Sequence, residues 1–335
     1  MIPTRRRVLE LTGAIATGTV VGSAGCTSVD AQETELDDLP EYSRWLTLTD
    51  GRLEFAFVDW ATIGEDVEEE LEEADPDEEI PAEFEDDPMI APVSEGLTST
   101  YFFVGLTLAQ FRLGRLLDED AFESTVEGLL RVDGTFVATG TIDTGEIAEQ
   151  LTAEPEAGFI RQMERTDAIG EYDIYTSVES DPEAAIGVGA DAVVVVDSEE
   201  TDADDPDPLT ALETTVEVSE GDAEGTADES ESFAWLLETA GIGDVAVGQY
   251  GGPFDPEELV HPALDGFEDA EGFVSSLTVE DEETAIGEFA AIVDDPDEAV
   301  PVDALGASAD ERSVDVDDDR VTATATWRDD EVTTG

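Results

Sequence analysis

The side chains that most often carry catalysis or bind metals are scarce in this chain. Its 335 residues include no lysine and no asparagine, and His261 and Cys26 are the only histidine and cysteine. Without lysine, Schiff-base catalysis and a lysine-containing phosphate loop are excluded. A single histidine and a single cysteine also cannot supply the ligand set of a blue-copper or a Cys/His zinc site. We therefore expect no cofactor and no metal of these kinds.

The remaining chemical candidates are one base, acidic clusters and a pair of arginines. His261 precedes Pro262 at the end of a predicted helix, where the helix dipole favours a cation. Catalysis by His261 would need a serine or carboxylate nearby.

A glycosidase needs only two carboxylates, and 88 acidic residues would hide such a pair. Calcium could bind Asp202, Asp204 and Asp205, or Asp315 to Asp319, but neither cluster has the EF-hand glycine and distal glutamate. Arg161 and Arg165 have i, i+4 spacing and could bind an anion if helical, or neutralise nearby acids.

One glycine pattern matches a dinucleotide-binding turn. Residues 187–192 read G-x-G-x-x-A, but four consecutive valines, 193–196, follow. A dinucleotide site requires a helix at that point, whereas β-branched residues favour a strand. The pattern is therefore interpreted as a turn between strands.

The segment that ends at Cys26 carries the most specific signal. Arg5 and Arg6 open a basic segment, a short apolar run extends from Val8 to Val21, and Ser-Ala-Gly at 23–25 precedes Cys26. This order is typical of an export signal, and the paired arginines favour the twin-arginine route. The run is short and carries Glu10, so it would be a poor permanent membrane span.

The residues around Cys26 resemble the lipobox of exported lipoproteins. The resemblance implies cleavage of residues 1–25, lipid attachment to the Cys26 sulfur, and recognition of Arg5 and Arg6 by the twin-arginine translocase. It also implies that the protein is held on the extracytoplasmic face of the cell membrane. Residues 26–40 are then a short polar tether.

The composition narrows the environment and the partners. The 88 acidic residues against 13 arginines give a formal net charge of −75, yet 40% of residues are hydrophobic, enough for a core. Such a charge strains a compact fold unless molar salt shortens the Debye length to about 3 Å. The chain is thus similar to the twin-arginine-exported lipoproteins of extremely halophilic archaea. Nucleic acid is excluded as a partner because its phosphates require basic residues, and we expect the acidic body to be repelled from anionic lipid.

Periodicity in the rest of the chain predicts an α+β fold with a mainly antiparallel sheet and a few short helices. Hairpins are indicated at Asp50-Gly51 and Asp133-Gly134, and Asp143 with Glu146 forms a capping box before a short helix. Asp255 and Glu258 repeat that signature after another strand, which suggests an internal duplication. Gly96 to Phe111, the most apolar stretch of the chain after the leader, is interpreted as a buried core element; a second membrane contact is the alternative.

The predicted organisation is two units separated by an acidic segment. The first α+β domain covers residues 41–218, residues 219–232 form an acidic linker, and residues 233–330 form a second α+β unit. The favoured function is a non-enzymatic cell-surface lipoprotein with an interaction or structural role in the envelope. A solute-binding lipoprotein of a transporter, built as a two-lobed clamp, is the alternative, and a carboxylate-based hydrolase is a further one.

Overall fold

The computed structural model describes most of the chain from residue 39 to residue 328. The described ranges are 39–49, 51–73, 82–118, 121–155, 158–178, 184–197, 207–257, 259–281, 284–294 and 302–328. Arg5, Arg6, Cys26 and the cluster at 202–205 lie outside them, as does nearly all of the predicted tether.

Seven helices and twelve strands occur within the described ranges. The helices are α1 (Trp60–Glu73), α2 (Ala82–Glu85), α3 (Ala91–Gln110), α4 (Thr144–Thr152), α5 (Pro208–Ser219), α6 (Thr226–Glu229) and α7 (Glu231–Ala240). Two 3₁₀ turns span Glu41–Trp45 and Pro262–Leu264. The strands are β1 (Leu53–Asp59), β2 (Thr125–Val132), β3 (Thr135–Thr141), β4 (Met163–Ile169), β5 (Tyr172–Ser177), β6 (Ala184–Val188), β7 (Ala192–Asp197), β8 (Val245–Tyr250), β9 (Ala270–Asp281), β10 (Thr284–Val293), β11 (Glu311–Asp317) and β12 (Arg320–Arg328).

All twelve strands belong to one antiparallel sheet, so the predicted α+β class is confirmed. The strand order is β11-β12-β10-β9-β8-β1-β2-β3-β7-β6-β5-β4. Most neighbours are consecutive in the chain, as expected for hairpins joined by short turns. The hairpin at Asp133-Gly134 is present, with Val132 opposite Thr135.

The sheet is buried on both faces because apolar residues occupy successive positions in its central strands. In β7, Val193 and Val195 point into one core, and Val194 and Val196 point into the other. A continuous valine run is what a strand covered on both sides requires. Helix α3 covers the first face across β8, β1 and β2, whereas α5 and α7 cover the second.

The N-cap of α4 is confirmed, but the capping box is not, because the Asp143 backbone N–H donates to the Ser124 hydroxyl at 3.0 Å rather than to the Glu146 side chain. Asp143 precedes the helix and its carboxylate accepts a hydrogen bond from the Glu146 backbone N–H at 2.9 Å. Ile142 and Ile147 are both buried, as a hydrophobic staple requires. The helix start therefore depends on one local bond, which the sequence predicted, and on one bond to a segment outside the helix.

The second capping signature does not start a helix. Asp255 accepts a hydrogen bond from the Glu257 backbone N–H, but the described residues that follow form turns up to Pro262–Leu264. The Val260 backbone N–H instead donates to the side chain of Gln249 on β8, a tertiary bond that competes with helical pairing. The repeat that suggested a duplication is therefore not matched at this point.

Both predicted units contribute strands to the same sheet. Strand β1 pairs with β2 on one side and with β8 on the other, so the sheet continues across the expected division. Within the expected acidic linker 219–232, helix α6 forms, and Thr226 donates from its hydroxyl and its backbone N–H to the Leu46 carbonyl. This segment is tied to the 3₁₀ turn at Glu41–Trp45 because its backbone groups need partners once buried.

The two outermost strands are strongly exposed. Strand β11 has no buried residue, and in β4 only Met163 is buried. Both strands carry charged side chains, among them Asp315 and Asp317 on β11 and Glu164 and Asp167 on β4.

Candidate functional site

The outward face of helix α3 is apolar along its second half. Phe102 and Phe103 are each 40% exposed, and Leu106 is 64% exposed. With Ser99 one turn earlier, these residues form a continuous ridge at i, i+3, i+4 and i+7 spacing, which we call the α3 stripe. A helix on a protein surface normally places polar residues on that face. The α3 stripe is therefore a candidate contact surface.

Helix α3 is held rigidly under the stripe. Its opposite face places Val93, Leu97, Val104 and Leu108 in the core against the sheet. The predicted buried element at 96–111 is thus half correct, because the helix is buried on one side only. Three consecutive aromatics, Tyr101 to Phe103, cannot all lie on one face of a helix, and this was the signal available in the sequence.

Charged groups lie at both ends of the stripe. Glu95, whose side chain is 59% exposed, precedes it, with its Oε2 3.3 Å from His261 Nε2. At the other end, Arg115 is 72% exposed and pairs with Asp118 at 2.6 Å. The Arg131 guanidinium lies over the Phe103 ring at 5.4 Å, a favourable cation–π contact. Residues 96–111 themselves carry no charge.

A shallow groove adjoins the C-terminal end of α3. It has a volume of about 380 Å³ and is lined by Arg112, Arg115, Phe122 and Phe159, among others. Phe159 is 67% exposed, and its loop is fixed to the helix because the Arg161 backbone N–H donates to the Gln110 carbonyl at 2.8 Å. The groove extends the apolar surface beyond the end of the helix.

A larger cleft of about 800 Å³ opens on the other side of the sheet. Tyr42 and Phe57 line it as a stacked pair, with ring centroids 4.4 Å apart. The Tyr42 hydroxyl donates to the Gly241 carbonyl at 2.7 Å, which joins the 3₁₀ turn at Glu41–Trp45 to the C-terminal end of α7. Its volume is in the range of small-molecule sites.

An ion pair holds the wall of the cleft. Asp191 accepts hydrogen bonds from the Arg44 guanidinium at 2.9 Å and from the Tyr172 hydroxyl at 2.6 Å. Burial alone would raise the pKa of Asp191, but these two bonds outweigh it and lower that pKa. Burial, with the bond to Asp191, raises the pKa of Tyr172. The guanidinium also lies 4.9 Å from the centroid of the Trp45 ring, so the network is a fixed wall.

The other carboxylates that line the cleft are those of Glu41, Asp59 and Glu127. Asp59 accepts a hydrogen bond from the Thr62 backbone N–H at 3.1 Å and so caps α1. Glu127 is exposed on β2. Aromatic faces and carboxylate oxygens can bind a molecule that has hydroxyl groups and an apolar face, and this is the chemistry that the cleft offers.

His261 has a structural position. Instead of ending a helix, it caps the 3₁₀ turn at Pro262–Leu264, with Nδ1 accepting from the Ala263 backbone N–H at 2.9 Å. The other nitrogen, Nε2, faces Glu95. Burial lowers the pKa of His261, against the opposing effect of Glu95. Both ring nitrogens therefore have partners within the fold.

The remaining sequence candidates are dispersed. Arg161 and Arg165 are not on a helix: Arg161 pairs with the buried Asp197 at 3.0 Å, and Arg165, on β4, pairs with Asp173. Residues 187–192 comprise the end of β6, the turn at 189–191 and the first residue of β7, so a strand follows the turn as the valine run predicted. Asp315 to Asp319 lie on β11 and in the turn to β12, exposed to solvent.

Two findings on the described residues concern metals and membranes. These residues contain no group of three or more His, Cys, Asp or Glu side chains that could hold a metal ion. No helix within the same ranges combines the length and the apolar character that crossing a membrane requires.

Comparison with known proteins gives only distant structural similarity. No family model matches the chain, and no curated protein matches it. Its structure is similar to crystal form III of TP0453, with a TM-score of 0.43 and 10% identity over 85% of this chain and 93% of that one. Crystal form I of TP0453 gives a TM-score of 0.40 and 12% identity over 87% and 93%.

Proposed function

We propose that this protein is a non-enzymatic lipoprotein on the extracytoplasmic face of a halophile, and that it acts by surface contact. The observation that supports contact is the α3 stripe, where Phe102, Phe103 and Leu106 face solvent on a helix otherwise fixed in the core. Exposure of three large apolar side chains has a free-energy cost that a purely structural helix would not carry.

Export and anchoring are the second part of this proposal. Arg5 and Arg6 direct the chain to the twin-arginine translocase, the leader is removed after residue 25, and a lipid on Cys26 holds the body at the membrane. The segment from Cys26 to residue 39 extends at most about 45 Å, so the body stays close to the bilayer.

Mass spectrometry of the protein isolated from its own cell membranes tests the anchor. We expect an N-terminus at residue 26 and a mass increase on Cys26 that corresponds to a lipid. A Cys26→Ser variant should leave the membrane fraction, whereas Ser28→Ala, two positions further along, should not. An unmodified cysteine with the leader still attached would overturn the proposed location.

A solute-binding role is the second candidate, and the cleft of about 800 Å³ favours it. The single sheet differs from the two-lobed clamp expected for such proteins, so the ligand would bind on one face of the sheet. A panel of sugars and other hydroxylated metabolites should then raise the melting temperature in molar salt. Phe57→Ala should remove that rise, and Phe159→Ala, outside the cleft, should keep it. No rise with any compound would exclude the panel's classes as ligands.

A further inference from the structure

We infer that the α3 stripe is a self-association surface, on which a second copy of this chain packs with its own α3 running antiparallel. This rests on the proposed function, because it names the partner of the contact surface. The stripe is self-complementary in shape and in charge, and each property has its own structural basis.

The shape of the stripe allows two helices to approach closely. Phe102, Phe103 and Leu106 project from α3, and Gly105 lies between them in the chain. A Cβ at Gly105 would have no other atom within 4 Å, so the space above it is open. A side chain of a facing helix can enter this space, as happens where small residues lie at helix contacts. Gly105 is the i+3 neighbour of Phe102, so the stripe offers projections to an identical partner and a recess at its border.

The charges at the two ends determine the direction of packing. Glu95 lies eight positions before Phe103, or about 12 Å along the helix, and Phe111 lies eight positions after it. A two-fold axis near Phe103 therefore places Glu95 of one copy opposite the C-terminal end of α3 in the other copy. Arg112 and Arg115 follow that end directly. The parallel arrangement would place Glu95 against Glu95. Antiparallel helix dipoles favour the same choice.

The residues of the stripe carry no charge and the side chain over Phe103 is the cationic Arg131, so a protein of net charge −75 can associate there. Residues 96–111 bring no carboxylate into the interface. In molar salt the Debye length is about 3 Å, so acids elsewhere on the two bodies are screened. Closed two-fold dimers are also the commonest symmetric assembly.

The position of Pro40 and Glu41, where the predicted tether meets the body, favours a second copy over a lipid bilayer as the partner of the stripe. Pro40 and Glu41 line the cleft, together with Tyr42 and Leu130 of the core on the face opposite α3. A tether leaving from that side presents the stripe away from the anchor. The predicted repulsion between the acidic body and anionic lipid acts in the same direction.

Sedimentation equilibrium of the full chain carrying Cys26→Ser, in molar salt, measures the association. We expect a concentration-dependent dimer. Adding Phe102→Ser and Leu106→Ser should raise the dissociation constant about tenfold or more. Ile242→Ser is the matched control, since Ile242 is 56% exposed but lines the cleft on the other face. Circular dichroism checks that each variant is folded.

A charge exchange tests the direction. Glu95→Arg and Arg115→Glu should each weaken the dimer, and the two together should restore it, because each changed residue again meets its opposite. If the double variant is no better than either single one, the antiparallel arrangement is wrong.

A crosslink tests the contact with Phe102 and Leu106 kept in place. Cys26 is the only native cysteine, so Phe103→Cys in the Cys26→Ser chain has one thiol. A short bis-maleimide should join two copies through residue 103, and Ile242→Cys should give no such product. If the protein is monomeric at all concentrations and no crosslinked product forms, the proposal is wrong. It is also wrong if the monomeric protein binds vesicles and the Phe102 and Leu106 changes abolish that binding. The result is independent of lipid on Cys26, so it separates this proposal from the anchor.

Discussion

The buried carboxylate of Asp87 binds Ser308 through two hydrogen bonds. Its Oδ2 accepts from the Ser308 hydroxyl at 2.6 Å and from the Ser308 backbone N–H at 2.9 Å, and its Oδ1 accepts from the Gly306 backbone N–H at 3.0 Å. The Ser308 hydroxyl in turn accepts from the Trp327 indole at 2.9 Å. One carboxylate thus fixes the loop before β11 to the start of α3, although the two segments are far apart in the chain.

Removing this carboxylate should destabilise the fold. Asp87→Ala leaves several buried donors without a partner, so we expect a loss of about 3–5 kcal/mol in the free energy of unfolding. Urea denaturation in molar salt measures it. Asp86→Ala is the control, since Asp86 is the exposed neighbour and its loss should cost about 0.5 kcal/mol or less. Equal effects of the two changes would show that the buried network contributes little.

Two glycines of α3 should respond in opposite directions to alanine. A Cβ at Gly96 would lie 2.3 Å from a methyl of Val247, whereas Gly105 has open space. Gly105→Ala should therefore stabilise the protein by about 0.5–1 kcal/mol through helix propensity, and Gly96→Ala should destabilise it through overpacking. Thermal denaturation at a concentration where both variants are monomeric makes the comparison. A gain in both would mean that α3 does not pack on β8 as described.

The stability of the fold should depend on the pH through Asp133, in the β2–β3 turn. Burial raises the pKa of Asp133 to about 7 from 3.8, against a lowering by its bond to the Glu54 backbone N–H. The folded protein therefore keeps this proton between about pH 4 and pH 7, where the unfolded chain loses it. Since the folded state then binds more protons, this contribution to stability falls as the pH rises through that window.

Asp133→Asn tests that window. Its amide oxygen can still accept from Glu54, and asparagine tolerates the φ of 43° at this position. We expect the variant and the original protein to be similarly stable near pH 4, and the variant to be more stable at pH 8. Identical pH profiles in denaturation experiments would show that Asp133 ionises freely.

The hairpin that contains Asp133 shows what local sequence determines. Asp133-Gly134 predicted its turn, and the residues around it predicted β2 and β3 to within a few positions. Asp143 marked the start of α4 in the same way, because its cap bond lies within one turn. The sequence analysis did not predict α5 and α7. Acidic segments flank α5, and the one at 219–232, which includes the start of α7, was interpreted as a linker.

The pairing of β1 with β8 could not be predicted from the sequence. Most of the other strands and helices separate these two strands in the chain, and only tertiary packing brings them together. The same holds for the cleft, whose walls come from Tyr42, Asp191 and Gly241. The outward face of α3, in contrast, was readable from the aromatic triplet at 101–103.

A requirement for salt is predicted by the net charge of −75. On dialysis from molar salt into dilute buffer of about 0.01 M ionic strength, the Debye length rises to about 30 Å. We then expect the far-UV circular dichroism signal to be lost, because the acids repel one another across the whole body. Returning the salt should restore the signal. A protein that stays folded in low salt would contradict the halophilic interpretation.

The exposed outer strands, β11 and β4, are the places where a strand of another molecule could be added to this sheet. Among the described strands, β11 and β4 each have a sheet neighbour on one side only, and such an edge could accept another chain and extend into a fibril. Asp315 and Asp317 on β11, and Glu164 and Asp167 on β4, bring like charges together in any such edge-to-edge addition. The acidic composition therefore also acts as a barrier to polymerisation, and added salt should weaken that barrier because it screens the charges.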